Sequence, residues 1–295
     1  LVPANFSQKT DSMGFRWDVN QSGAVNDGSN DCFDGGLVLS VGGNQFGAQN
    51  RMMTFDGREY VLSGTTAGVK VTRRILVDLK RAVARYIEAF ENTGNATAQL
   101  TVVIRSQLGG SCAQVLTSAG AVFQGKLGAK DVGILTVSSG NRPCVMFLVA
   151  GPRSKVRPVV AVKGGRTFIF TYFITVKPGK TVSLVHLVAQ RKGIGAATAA
   201  ELFKGFFRGR RLLTPEIPRH LRRTVANFRM GPGGERGEPC GGLKVVLDLA
   251  EQMDVERGTS DVLVIGEEGR LKGTATCGGL AVETAYGRAT LDFKE

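Results

Sequence analysis

The sequence predicts an all-β protein: a large antiparallel β-sandwich, then two short helices, then a small C-terminal β-barrel or roll-like unit. Three observations carry that prediction. From Val69 to Gln107 (VKVTRRILVDLKRAVARYIEAFENTGNATAQLTVVIRSQ) the apolar positions keep mostly to the two-residue period of half-buried strands. Glycine supplies 40 of the 295 residues, roughly twice the usual share, and falls between short apolar runs as turns and bulges require. Between Gly36 and Gln190 lie about a dozen such runs, spaced like the strands of a large two-sheet sandwich.

Taken in order, residues 1–35 are polar and turn-rich, with Phe15, Trp17 and Phe33 as isolated anchors and GFRWDV as a short first strand. GLVLSV, NQFG and RMMTF follow, and the Asp56–Gly57 pair between RMMTF and REYVLSG is a hairpin signal. The Val69–Gln107 stretch reads as three consecutive strands of one antiparallel sheet, turning near Lys80 and Asn92–Asn95. Further runs extend to TVSLVHLVAQ. Among them Thr167–Val176 (TFIFTYFITV) reads as the strongest interior strand, because Thr, Ile, Phe and Tyr fill both of its faces.

The pattern changes after residue 190. IGAATAAELFKGFFRG and IPRHLRRTVANF have the composition of two short, amphipathic, basic helices separated by a proline-containing break. MGPGGERGEPCGG reads as a linker, and five short strand candidates follow it. The predicted division is therefore a sandwich over 1–190, a basic helical segment over 191–229, a Gly-rich linker over 230–242 and a small acidic β domain over 243–295.

The net charge of +13 points to an anionic partner or surface, and its distribution is uneven. Residues 191–223 hold nine Lys/Arg and two Glu, whereas residues 241–295 hold ten Asp/Glu and six Lys/Arg. Arg191, Lys192, Arg208, Arg210, Arg211, Arg219, Arg222 and Arg223 are the candidates for docking an anion or partner. The acidic tail suggests self-association or a protein partner, with nucleic acid or membrane contact as the weaker readings. No zinc-finger spacing, RNP-like pair or KH loop accompanies the arginines.

Five cysteines, far apart and never in a C-x-x-C pair, exclude a small disulfide framework, although Cys240 and Cys277 are placed to staple the linker to the tail. No run of eighteen apolar residues occurs. The chain opens at LVPANFSQKT without Met, as a processed, exported form would, and an exported or surface location is the favoured expectation.

The most specific local motif is DVNQSGAVND. Asp18, Asn20, Ser22 and Asn26 offer oxygens at the alternating positions with which a calcium loop begins, and Gly23 permits the tight turn. Ser29 stands where a bidentate carboxylate is expected, so Asp31, with Asp34, would have to complete a different oxygen cage. The competing reading is an Asx- and Gly-stabilised loop.

Enzymatic signatures are absent: no G-x-S-x-G, H-E-x-x-H, G-x-G-x-x-G after a strand, or P-loop. Paired carboxylates leave no signature, and Glu88 and Glu91 are the nearest candidates. Arg73 and Arg85, if on one face, would line a concave sugar-handling sheet, with Tyr86 and Glu88 sharing a face. His186, alone in an apolar strand, reads as a satisfied core residue. The sequence thus leans away from an enzyme and toward a binding or assembly protein. A carbohydrate-binding or carbohydrate-processing sandwich is the first alternative, and a binder of nucleic acid or another polyanion the second.

Overall fold

The computed structural model describes residues 1–138, 143–192, 201–203, 205 and 217–229, and the backbone of the strands between 245 and 292. The protein is mostly β, 49% strand, with two short helices and three main sheets, none closed into a barrel. It divides into two compact units, Leu1–Met230 and Gly231–Glu295.

The first unit contains β1 (Val2–Pro3), β2 (Lys9–Thr10), β3 (Arg16–Trp17), β4 (Val38–Val41), β5 (Asn44–Gln45), β6 (Asn50–Met53), β7 (Glu59–Thr66) and β8 (Val69–Asp78). It continues with β9 (Val83–Glu91), β10 (Ala98–Gln107), β11 (Gln114–Thr117), β12 (Gly133–Val137), β13 (Cys144–Leu148), β14 (Val159–Lys163), β15 (Thr167–Val176) and β16 (Thr181–Arg191). A nine-stranded sheet runs β1-β6-β7-β8-β9-β16-β13-β12-β11, and a five-stranded sheet runs β14-β15-β10-β4-β5. Their inner faces share one core in which Phe147 lies 5.6 Å from Phe168 and 5.2 Å from Phe170, ring centre to ring centre.

The two layers are unequal. Nine strands span about 38 Å across the sheet and five span about 19 Å, so part of the larger sheet needs another cover. The N-terminal segment supplies it: Trp17, Val19, Val25, Phe33 and Leu37 enter the same core. Trp17 is fully buried and its indole N–H donates to Asp11 Oδ2 at 2.8 Å, which satisfies the one polar atom the ring carries.

The outer face of the larger sheet is covered by the chain that follows β16. Val83, Ile87, Met146, Leu187 and Ala189 pack with Phe203, Ile217, Leu221 and Phe228. Asn227, fully buried, locks this cover in place: its amide donates to Val149 O at 2.8 Å and Val185 O at 2.7 Å and accepts from Val185 N–H at 2.8 Å.

Three expectations need correction. The strands of the Val69–Gln107 stretch form, but the third leaves the sheet of the first two and pairs with β15 and β4 instead. Asn92 makes the corner, with its amide donating to Ala96 O and Val176 O, each at 2.8 Å, so the chain is tied to the opposite layer as it turns. Thr167–Val176 is not interior on both faces, because the five-stranded sheet presents one face to solvent and Phe173 on it is 65% exposed. The second unit is an open sheet, not a barrel: β17 (Val245–Leu249), β18 (Glu251–Arg257), β19 (Asp261–Gly266), β20 (Gly269–Thr276), β21 (Gly279–Thr284) and β22 (Gly287–Asp292) follow one another as an antiparallel meander. The strand absent from the sequence reading is β18, whose four charged residues in seven (EQMDVER) hid its period.

Candidate functional site

The predicted calcium ligands separate into two groups. Asn20 Oδ1 accepts from Ser22 N–H at 2.9 Å, Ser22 Oγ at 2.8 Å and Ala24 N–H at 3.1 Å, and Asn20 Nδ2 donates to Asn26 Oδ1 at 2.8 Å. These three side chains spend their polar groups on an Asx turn. Asp18 and Asp31 approach each other around Gly28, where an added Cβ would lie 2.7 Å from Asp31 Oδ2 and 3.0 Å from Asp18 Oδ2. Burial pushes the Asp31 carboxyl up to about 6, against a hydrogen bond from Phe33 N–H, and the neighbouring charges of Asp18 and Asp27 add to the rise. Among the described residues no three His, Cys, Asp or Glu are grouped to hold a metal ion.

Of the basic candidates, Arg208, Arg210 and Arg211 lie outside the described residues, as do Cys240 and Cys277. Arg219 and Arg222 sit in the short helix Arg219–Arg222. Arg191 donates to Ala82 O at 2.8 Å and Gln190 O at 2.7 Å, and Arg222 Nε to Ile217 O at 2.9 Å, so both tie backbone together. Lys192 and Arg223 are exposed. Cys32, Cys112 and Cys144 are free thiols.

Arg73 and Arg85 face opposite sides of the nine-stranded sheet. Arg73 pairs across the ladder with Glu88 and points into the inter-sheet core, whereas Arg85 pairs across it with Leu76 on the outer face. They do not line one surface. On the outer face Glu59 binds Arg85 at 3.0 Å and also Arg74. Tyr86 and Glu88 share the inner face as expected, and Glu88 and Glu91 fall on opposite faces, with Glu91 paired to Lys70 at 3.1 Å.

His186 lies opposite Tyr86 on the inner face, fully enclosed, with Nδ1 3.3 Å from Tyr172 Oη. Its Nε2, together with Tyr86 Oη and Glu88 Oε2, has no protein hydrogen-bond partner among the described residues, so this histidine is only half satisfied. Burial holds its imidazole down at about 3, with the Arg73 charge adding to the fall.

The surface best arranged for a ligand bears no sequence motif: it is the open face of the five-stranded sheet. Registers place Thr167, Ile169, Thr171, Phe173 and Thr175 of β15 outward, beside Gln107, Arg105, Val103, Thr101 and Gln99 of β10. Val159, Ala161 and Lys163 of β14 and Val38 and Ser40 of β4 extend the same face. Phe173 and Val159, 65% and 60% exposed, stand up from a floor of hydroxyl, amide and β-branched side chains. Such an exposed apolar patch framed by polar groups has the character of an interaction site. The alternation Thr-x-Ile-x-Thr-x-Phe-x-Thr along β15 is the sequence signal for this face, and it is masked by the apolar residues on both sides of the strand.

No protein-family model and no curated protein sequence matches this chain. Among solved structures, a protein provisionally named a kojibiose phosphorylase from the human microbiome aligns over 58% of this chain and 24% of its own, at 10% identity and a TM-score of 0.41. The heparan sulfate lyase HepC from Pedobacter heparinus aligns over 53% of this chain and 24% of its own, at 15% identity and a TM-score of 0.35. The GH36 alpha-galactosidase AgaA from Geobacillus stearothermophilus aligns over 65% and 40%, at 10% identity and a TM-score of 0.30. The alignments thus span about a quarter to two fifths of those chains. At these scores the likeness assigns neither activity nor substrate here. The leaning away from an enzyme is nevertheless withdrawn, since the structures that align bear the names of enzymes acting on carbohydrate.

Proposed function

We propose that this is a carbohydrate-binding or carbohydrate-processing β-sandwich protein that takes its ligand along the open face of the five-stranded sheet. One observation carries the reading: Phe173 stands exposed on a sheet face whose neighbours are Thr101, Thr171, Thr175 and Gln99. An aromatic ring offers a sugar an apolar platform, and hydroxyl and amide groups around it supply directional hydrogen bonds to the sugar hydroxyls. Thr175 Oγ1 already donates to Gln99 Oε1 at 2.6 Å, which fixes the amide at the edge of the platform.

The test is binding of the full chain to a panel of immobilised polysaccharides, with Phe173→Ala as the comparison. Phe173 contributes nothing to the core, so the variant folds as the parent does. Retention of at least one polysaccharide, weakened about tenfold by the substitution, is the expected result. Equal retention of parent and variant across the panel would remove the platform from the reading.

A further inference from the structure

Resting on that reading, we infer that the ligand of the open face is an anionic glycan, one bearing carboxylate or sulfate groups. The five strands that build the sheet, VLSV, NQ, AQLTVVIRSQ, VVAVK and TFIFTYFITV, contain no Asp or Glu. Their exposed charged residues are Arg105 and Lys163, both cationic and both on the open face. In a chain with 25 Asp and Glu, five strands without one, carrying two exposed cations, bias this face toward positive potential.

The cations also have positions that suit a strand of sugar. Lys163 lies in the row Lys163–Thr167–Gln107, and Arg105 lies in the row two residues further along. The carboxylate at this end, Asp34, is neutralised by Arg166 Nη2 at 2.6 Å and accepts from Gln107 Nε2 at 2.9 Å, so Lys163 and Arg105 carry the net charge here. At the other end of β15 the turn to β16 carries Lys177 and Lys180, both exposed. From Gln107 to Gln99 the face runs about 27 Å, with Lys163 and Arg105 in its first two rows, Phe173 toward the far end, and Lys177 and Lys180 in the turn past it. A neutral glycan gains nothing from that charge, whereas an acidic one is attracted at both ends and finds no carboxylate on the strands between them.

The experiment compares full-chain binding to dextran sulfate, unsulfated dextran, polygalacturonate and duplex DNA, at low and at moderate salt. The variants are Phe173→Ala and Arg105→Ala/Lys163→Ala, all on the solvent face. The expected result is binding to dextran sulfate and polygalacturonate, at least about tenfold tighter than to dextran and weakening about tenfold with added salt. Each variant loses about tenfold of that affinity. Equal, salt-insensitive binding of dextran and dextran sulfate that Phe173→Ala weakens overturns the anionic class and leaves the carbohydrate reading standing. Failure to bind any glycan overturns both. Binding of DNA as tight as that of dextran sulfate, or full affinity in the Arg105/Lys163 variant, overturns the inference by placing polyanion binding elsewhere on the chain.

Discussion

Arg73 and Glu88 face one another across β8 and β9, 3.1 Å apart, with side chains 1% and 0% exposed. The same guanidinium donates to Ser22 O at 3.0 Å and to Leu37 O, and lies 4.9 Å from the centre of the Tyr86 ring. One side chain thus neutralises a buried carboxylate and fastens the N-terminal cover to the larger sheet. Removing only the arginine strands the charge of Glu88 in the core. Arg73→Met is expected to cost about 3–5 kcal/mol, and Arg73→Met/Glu88→Leu much less than the two single changes summed. Urea denaturation of the three variants checks this, and additive losses would show that the pair is not coupled.

His186 gives the fold a one-sided pH dependence. Its folded-state value of about 3 lies below the ordinary 6.5, so the unfolded chain binds a proton that the native chain refuses. The stability it protects is complete above pH 6.5 and is lost as pH falls toward 3. His186→Leu removes this term, so the fall in urea midpoint between pH 7 and pH 4.5 is expected to be smaller in the variant than in the parent. Parallel losses in the two proteins would count against the assignment.

Asp31 works in the opposite direction. A carboxyl raised from 3.8 to about 6 is protonated in the native chain and ionised in the unfolded one between those values, so stability falls as pH rises through that window. Asp31→Asn keeps an oxygen for Phe33 N–H and removes the charge beside Asp18 and Asp27. At pH 7 the variant is expected to be more stable by up to about 1 kcal/mol after solvent screening, with no gain below pH 3.8. Thermal melts at pH 3.5 and pH 7 measure both limits.

Asn227 binds three backbone groups from a fully buried position, and truncation leaves all three without their partner. Asn227→Ala is expected to destabilise by about 2–4 kcal/mol. The loss should appear as faster hydrogen exchange at Val185 and the strands under Phe228 rather than at the five-stranded sheet. Uniform acceleration across both sheets would show that the cover and the sandwich open as one unit.

Much of the strand content was legible because alternation is a local signal. The strand pair Val69–Asp78 and Val83–Glu91, and the turn at Asp56–Gly57 between β6 and β7, follow from neighbours in sequence. Sheet membership is not local, and the crossing of Ala98–Gln107 to the other layer depends on Asn92 reaching Val176, 84 residues away. The same limit explains the site. Arg73 looks from its spacing like any strand arginine, and only the cover formed by residues 15–37 makes it a core residue. Phe173 is the converse, an apolar residue in an apolar strand whose exposure follows from which layer β15 joins.

The clasp between the two ends of the sandwich also bears on how the protein is made. Cys32 N–H donates to Gln190 Oε1 at 2.6 Å, and Gln190 Nε2 donates to Arg16 O at 2.9 Å, across 158 and 174 residues of sequence. At synthesis rates of about 5–20 residues per second, Cys32 is joined to the chain roughly 8–30 s before Gln190. Throughout that interval the N-terminal cover has the grip of Arg73 on Ser22 O and Leu37 O but lacks the clasp of the last strand of the sandwich. Nascent chains stopped before residue 190 therefore hold their aromatic cover by fewer ties than the finished fold does, and it is at this stage that exposure of Phe15, Trp17 and Phe33 costs most.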